Sequence, residues 1–100
     1  MVYFTLLPSG AIKIGHSDNI DSRMRQLSKK FGGAVSIIKV IDGGLHKEKM
    51  IHARFRHICL GHETYEVCHE LFEFIASLDP TDVRNTREFA ATHFRNRDSM

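Results

Sequence analysis

Cysteine, proline and long apolar runs are all scarce in this sequence. Two cysteines, Cys59 and Cys68, are too few for a disulfide framework, and they are expected to be the reduced thiols of a cytosolic protein. No stretch approaches the roughly 20 apolar residues needed to span a bilayer, so no membrane association is expected. The opening Met1–Leu7 is apolar but carries no basic flank, and Pro8-Ser9-Gly10 interrupts it, so it is not read as a secretory signal. A cytoplasmic location is the expectation, and the host cytoplasm if a phage encodes the chain. Excess charge is missing too: 14 Lys and Arg against 12 Asp and Glu leave a net charge of only +2. That excludes a strongly basic coat, and contact with a polyanion must come from local clustering. There is no internal repeat and no low-complexity tract.

What is present fits one globular domain with a single modest core. Apolar residues make up 42% and charged residues 26% of the 100 positions, ordinary values for a soluble domain. Seven histidines are unusual at this length and add positive charge below neutrality.

The chain opens with a β-rich run, Val2 to Leu7, followed by Pro8-Ser9-Gly10 and the alternating Ala11–Gly15. This predicts a β-hairpin that brings Tyr3 and Lys13 onto paired strands. Taken alone, Tyr3 reads as a strand aromatic packed on a core. Ser17 or Asp18 is placed to cap a helix running to about Lys30, with Ile20, Met24, Leu27 and Phe31 as its apolar stripe. Gly32-Gly33 ends it. Ala34 to Ile41 is dense in β-branched residues and predicts the most buried strand. A second helix is expected over Leu45–His57, and an irregular piece over Leu60–Val67. A third helix follows over His69–Leu78. Asp79-Pro80 starts a further helix to about Phe94.

Two side chains stand out by angle. At 100° per residue Arg23 lies about 60° from the apolar stripe of the first helix, and Arg25 about 140° from it. Arg23 therefore borders core and solvent and can reach a cleft, whereas Arg25 points outward. Glu48 lies about 60° from the Ile51 direction of the second helix. A carboxylate at the edge of a core face needs a cation, an arginine or a metal to satisfy it. His52 is one turn further on.

Val2-Tyr3-Phe4 and Lys13-Ile14-Gly15 are short motifs whose spacing, with the hairpin and helix around them, resembles the catalytic core of the GIY-YIG nuclease superfamily. Ser22–Leu27, Glu48–His52 and Glu63-Thr64-Tyr65 extend the resemblance, which covers about Val2 to Leu78. The branch it looks most like is the small phage and bacterial one, in which lysine replaces the second tyrosine. The resemblance implies an α/β fold: a small three-stranded, mainly antiparallel sheet flanked by helices. Residues 1–79 would form the nuclease-like domain and residues 80–100 an extra C-terminal helix and tail of the same unit. It also implies a metal-dependent endonuclease acting on DNA, with Arg23 on the scissile phosphate and Glu48 on the divalent metal. Tyr3 and Lys13 take the two motif-tyrosine positions. The asparagine that often closes such a site has no match, and Glu63 or His62 falls nearest that place.

The residue types suit that chemistry. Glu48 suits a hard cation, Mg²⁺ or Mn²⁺. Arg23 is permanently charged and forks onto phosphate. Tyr3 or Lys13 is the candidate to take a proton from water, and either needs a lowered pKa to do so. His52 supports or shuttles. Arg25, Lys29 and Lys30 are candidate DNA contacts, and sequence specificity is expected to be low unless the chain forms a homodimer. Two alternatives stay open: a catalytically inactive DNA-binding or regulatory module on the same fold, and a zinc-stabilised interaction domain built on His57, Cys59, His62, Cys68 and His69, whose spacing fits no closed two-pair zinc pattern.

Overall fold

The computed structural model describes residues 1–80. In chain order it runs β1 (Val2–Leu6), β2 (Ile12–His16), α1 (Ile20–Phe31), β3 (Ser36–Ile41), α2 (Leu45–Arg54), a 3-10 turn (Arg56–Ile58), β4 (Cys59–Gly61), β5 (Thr64–Tyr65) and α3 (His69–Ser77). The five strands form one sheet in the order β3-β1-β2-β5-β4, and each neighbouring pair is antiparallel. The expected α/β class holds, with five strands in place of three. The added pair, Cys59–Gly61 and Thr64–Tyr65, falls almost wholly in the Leu60–Val67 stretch read as irregular. Strands of three and two residues are too short to carry a periodic signal. The expected C-terminal helix falls outside the described residues.

The hairpin forms as its turn chemistry dictates. Gly10 donates to the Leu7 carbonyl at 2.9 Å, Leu7 donates to the Ala11 carbonyl at 2.9 Å, and Tyr3 faces Gly15 across the two strands. Strand alternation then builds two cores. Val2, Phe4, Ile12 and Ile14 face one way and pack with Ile51 and Phe55 of α2 and Leu71 and Ile75 of α3. Tyr3 faces the other way with Val40, onto Ile20, Met24 and Leu27 of α1. Each fully buried side chain of this kind contributes about 1.5–3 kcal/mol of transfer free energy. Phe74 sits edge-on between Phe4 and Phe55, with ring centroids 6.5 and 5.0 Å away.

β3 is not the most buried strand. It lies at the sheet edge and is buried only at Val40 and Ile41, whereas β1 and β2 are each buried at their first four residues. β-branched composition sets the tendency to extend, and strand order decides coverage. β1 is enclosed because both its neighbours pair with it. Lys39 of β3 closes the end of α3, donating to the carbonyls of Ile75 and Leu78 at 2.7 and 2.8 Å.

α1 starts one residue later than Asp18 allows. Asn19 is the cap, its Oδ1 accepting from the Ser22 amide at 3.0 Å, while Ser17 bonds the Asn19 backbone. Gly32 ends the helix in the left-handed conformation. α2 is shorter than expected and passes at Phe55 into the 3-10 turn.

Candidate active site

The site lies where the sheet is incomplete. Of β2, only Ile12 and Lys13 pair with β5, and the Glu63 carbonyl just before β5 accepts from the Ile14 amide. Gly15 and His16 therefore have no strand beside them on that side. Side chains from both faces of the sheet meet around this open end of β2.

Tyr3 is 1% exposed, with its ring laid across Gly15. A β-carbon at position 15 would stand 2.3 Å from the Tyr3 hydroxyl, so the Gly of Lys13-Ile14-Gly15 makes room for the tyrosine. The Arg23 guanidinium lies close enough to the Tyr3 hydroxyl to favour its charged form. Burial holds the pKa of this hydroxyl above its usual value, opposite to the lowered value expected of a proton-accepting tyrosine. Arg23 pulls it back, and Glu48 and Glu63 add to the rise. Both the core reading and the site reading of Tyr3 are met by the same side chain.

Lys13 is 6% exposed and donates from Nζ to Glu63 Oε2 at 2.9 Å. That hydrogen bond is the main cause holding the Glu63 carboxyl below its usual range, with Lys13, His52 and His16 charge in support. Glu63 reaches Lys13 from an unusual backbone. The two residues joining β4 to β5, His62 and Glu63, both have positive φ, 51° and 63°. Tight hairpins of this length demand that hand, and Gly or Asn normally supplies it. A bulky residue there costs about 1 kcal/mol or more, and such outliers gather where function needs a group held in one place.

Glu48, the border carboxylate of α2, is 4% exposed. Its partners are histidines: Oε2 contacts His16 Nδ1, and Oε1 lies 3.2 Å from His52 Nε2. His52 also contacts the Tyr65 hydroxyl through Nδ1 and stacks on that ring at 5.4 Å between centroids. Burial is the main cause pushing the Tyr65 hydroxyl up to about 12, with Cys59 next, so it stays protonated at neutral pH. Glu48, His52 and Glu63 each offer a ligand atom, and these atoms lie within 4.8 Å of one another, a group that could hold a metal ion.

Tyr3 with Arg23, Lys13 with Glu63, and Glu48 with His52 and Glu63 thus lie around one end of the sheet. Arg25, Lys29 and Lys30 are not part of the cluster. They are exposed on α1, with Arg25 paired to Asp21 at 2.5 Å and Lys30 over the Phe31 ring at 5.5 Å. The rival zinc set does not assemble among the described residues: His57 pairs with Glu70 and His69 with Glu73, both at 2.9 Å. His16 was missed from sequence. Its signal was a polar residue continuing the period-two register of Ile12 and Ile14. Tyr65 was named only within the Glu63-Thr64-Tyr65 piece of the resemblance, with no role of its own.

The sequence matches the T5orf172 domain over residues 2–91, nine-tenths of the chain. The chain belongs to the T5orf172 domain family. This domain is found in phage and bacterial proteins related to endonucleases. No curated protein and no solved structure matches the chain. Within this T5orf172 domain, no described helix is long and apolar enough to cross a membrane.

Proposed function

We propose that this T5orf172 domain is a metal-dependent endonuclease of the GIY-YIG type that hydrolyses DNA phosphodiester bonds. The observation that carries it is the meeting of Tyr3, Lys13, Arg23 and Glu48, from four separate elements, at one open end of the sheet.

Arg23 binds the non-bridging phosphate oxygens and opposes the charge that builds as water adds to phosphorus. Its contact with Tyr3 aligns that hydroxyl beside the phosphate and favours loss of the tyrosine proton. Tyr3 takes the proton from the attacking water as the phenolate, after its own proton has left to solvent, a loss that burial opposes and Arg23 assists. Lys13 adds positive charge on the same strand pair and is held in place by Glu63. The glutamates would hold the metal, and a divalent cation held there supplies charge that offsets Glu48 and Glu63 and polarises the phosphoryl group. The P–O bond breaks on the far side, and the leaving oxygen takes up a proton. His52 orients Glu48.

A second reading, a non-catalytic DNA-binding module, is favoured by one observation: the Lys13–Glu63 pair occupies the lysine. Nicking of supercoiled plasmid separates the two. The nuclease nicks with Mg²⁺ or Mn²⁺, stops in EDTA, and loses at least about 10²-fold in Arg23→Ala, the scale for one lost charge stabiliser. Retarded DNA with no nicking in either cation would establish the binding module instead.

A further inference from the structure

We infer that His52 is a direct metal ligand, so that Glu48, His52 and Glu63 together select a first-row divalent ion such as Mn²⁺, Co²⁺ or Zn²⁺ over Mg²⁺. The inference rests on the reading of Glu48 as the metal carboxylate and extends it to the identity of the ion.

The hydrogen bonds around His52 carry it. Its Nδ1 faces the Tyr65 hydroxyl, and the ring stacks on the Tyr65 ring, so the imidazole is held in one orientation. A metal-binding histidine typically has its far nitrogen anchored in this way, with the hydrogen on that side and a lone pair on the other. With the hydrogen on Nδ1, donated to the Tyr65 oxygen, the lone-pair side is Nε2, which stands 3.2 Å from Glu48 Oε1. Without metal an Nε2 hydrogen bridges the two atoms; a divalent ion that displaces it meets an imidazole lone pair and a carboxylate oxygen already side by side. Ligand atoms on adjacent corners of a shell with bonds of about 2.1 Å lie roughly 3.0 Å apart, close to the separation seen. Glu63 completes the set from the β4–β5 turn, where its half-exposed carboxylate comes within 4.8 Å of the other two ligand atoms. Lys13 takes one oxygen of that carboxylate and leaves the other.

The donor set decides the ion. Mg²⁺ takes oxygen ligands, keeps most of its waters and gains little from imidazole. Nitrogen donors favour the first-row divalent ions instead. One neutral nitrogen with two carboxylates therefore discriminates where a single carboxylate with waters would not.

The test uses the metal-free protein and needs no cleavage. Calorimetric titration with Mn²⁺ and with Mg²⁺ is expected to show at least a tenfold preference for Mn²⁺. Pulsed electron paramagnetic resonance of the Mn²⁺-loaded protein is expected to show coupling to a directly bound nitrogen. That coupling should vanish in His52→Ala and in the bulkier His52→Gln, and persist in His16→Gln. Circular dichroism checks that each variant is folded. Equal affinity for the two ions, no nitrogen coupling in the wild type, or loss of coupling in His16→Gln alone would overturn the assignment. A protein that binds Mn²⁺ through His52 but never nicks DNA would keep this inference and reject the nuclease.

Discussion

Gly15 lies directly opposite Tyr3 across the hairpin, and the tyrosine ring fills the space that a side chain at position 15 would need. The glycine of the second motif is thereby tied to the tyrosine of the first. Gly15→Ala should cost about 1–3 kcal/mol, the usual range for overpacking a filled site. In a Tyr3→Leu background, whose shorter side chain leaves that space open, the same change should cost much less. A double-mutant cycle by urea denaturation measures the difference. A coupling below about 0.5 kcal/mol would mean that the ring yields freely.

The two arginines of α1 should separate. Arg23→Ala is expected to remove plasmid nicking while leaving the melting temperature nearly unchanged, because the Arg23 side chain is only half-buried at the border of α1. Arg25→Ala loses an exposed pair with Asp21 and should shift stability by no more than about 0.5 kcal/mol. DNA retention by that variant weakens at most. Equal loss of nicking in both would place the phosphate elsewhere on the helix.

Lys13 and Glu63 give a pH signature. The folded state holds the Glu63 carboxyl below its usual range, chiefly through the Lys13 hydrogen bond, so the pair contributes stability above the unfolded glutamate value of about 4.5. That contribution is lost as the pH falls through the lower, folded value. His16 and His52 also face Glu63 and act in the same direction. The melting-temperature gap between wild type and Lys13→Met, followed in EDTA from pH 6 downward, should therefore narrow with acid. A gap that widened would reverse the sign of the linkage.

Much of the fold was legible because it is written in local chemistry. Pro8-Ser9-Gly10 closes the hairpin, and the stripe of Ile20, Met24 and Leu27 packs α1. The angle of Arg23 picked out the arginine that reaches Tyr3. What escaped depends on distant pairing. Composition could not tell that β3 would end at the sheet edge, since coverage follows strand order. The β4–β5 hairpin turns on His62 and Glu63, neither of them a usual residue for positive φ, so no turn signal was there to read. The histidines around Glu48 come from β2 and α2, and only the closed fold shows that they share one carboxylate.

Glu48 offers the sharpest division between a metal ligand and a structural carboxylate. It is nearly fully buried, and its side-chain partners are His16 and His52. Glu48→Gln keeps the shape and two hydrogen-bonding atoms, so in EDTA the melting temperature should move by only a few degrees, equivalent to about 1 kcal/mol in a domain of this size. The response to metal should differ far more. A cation that binds only the folded wild type stabilises it by about 2.7 kcal/mol at a hundredfold excess over Kd, and the variant should lose most of that rise together with nicking. DNA affinity should hold or increase, because a negative charge beside the phosphate is gone. If Glu48 were only a structural partner for its histidines, the order would invert: the variant would melt well below wild type in EDTA and still gain stability from the metal. Wild-type nicking rates in Glu48→Gln would remove it from the site altogether.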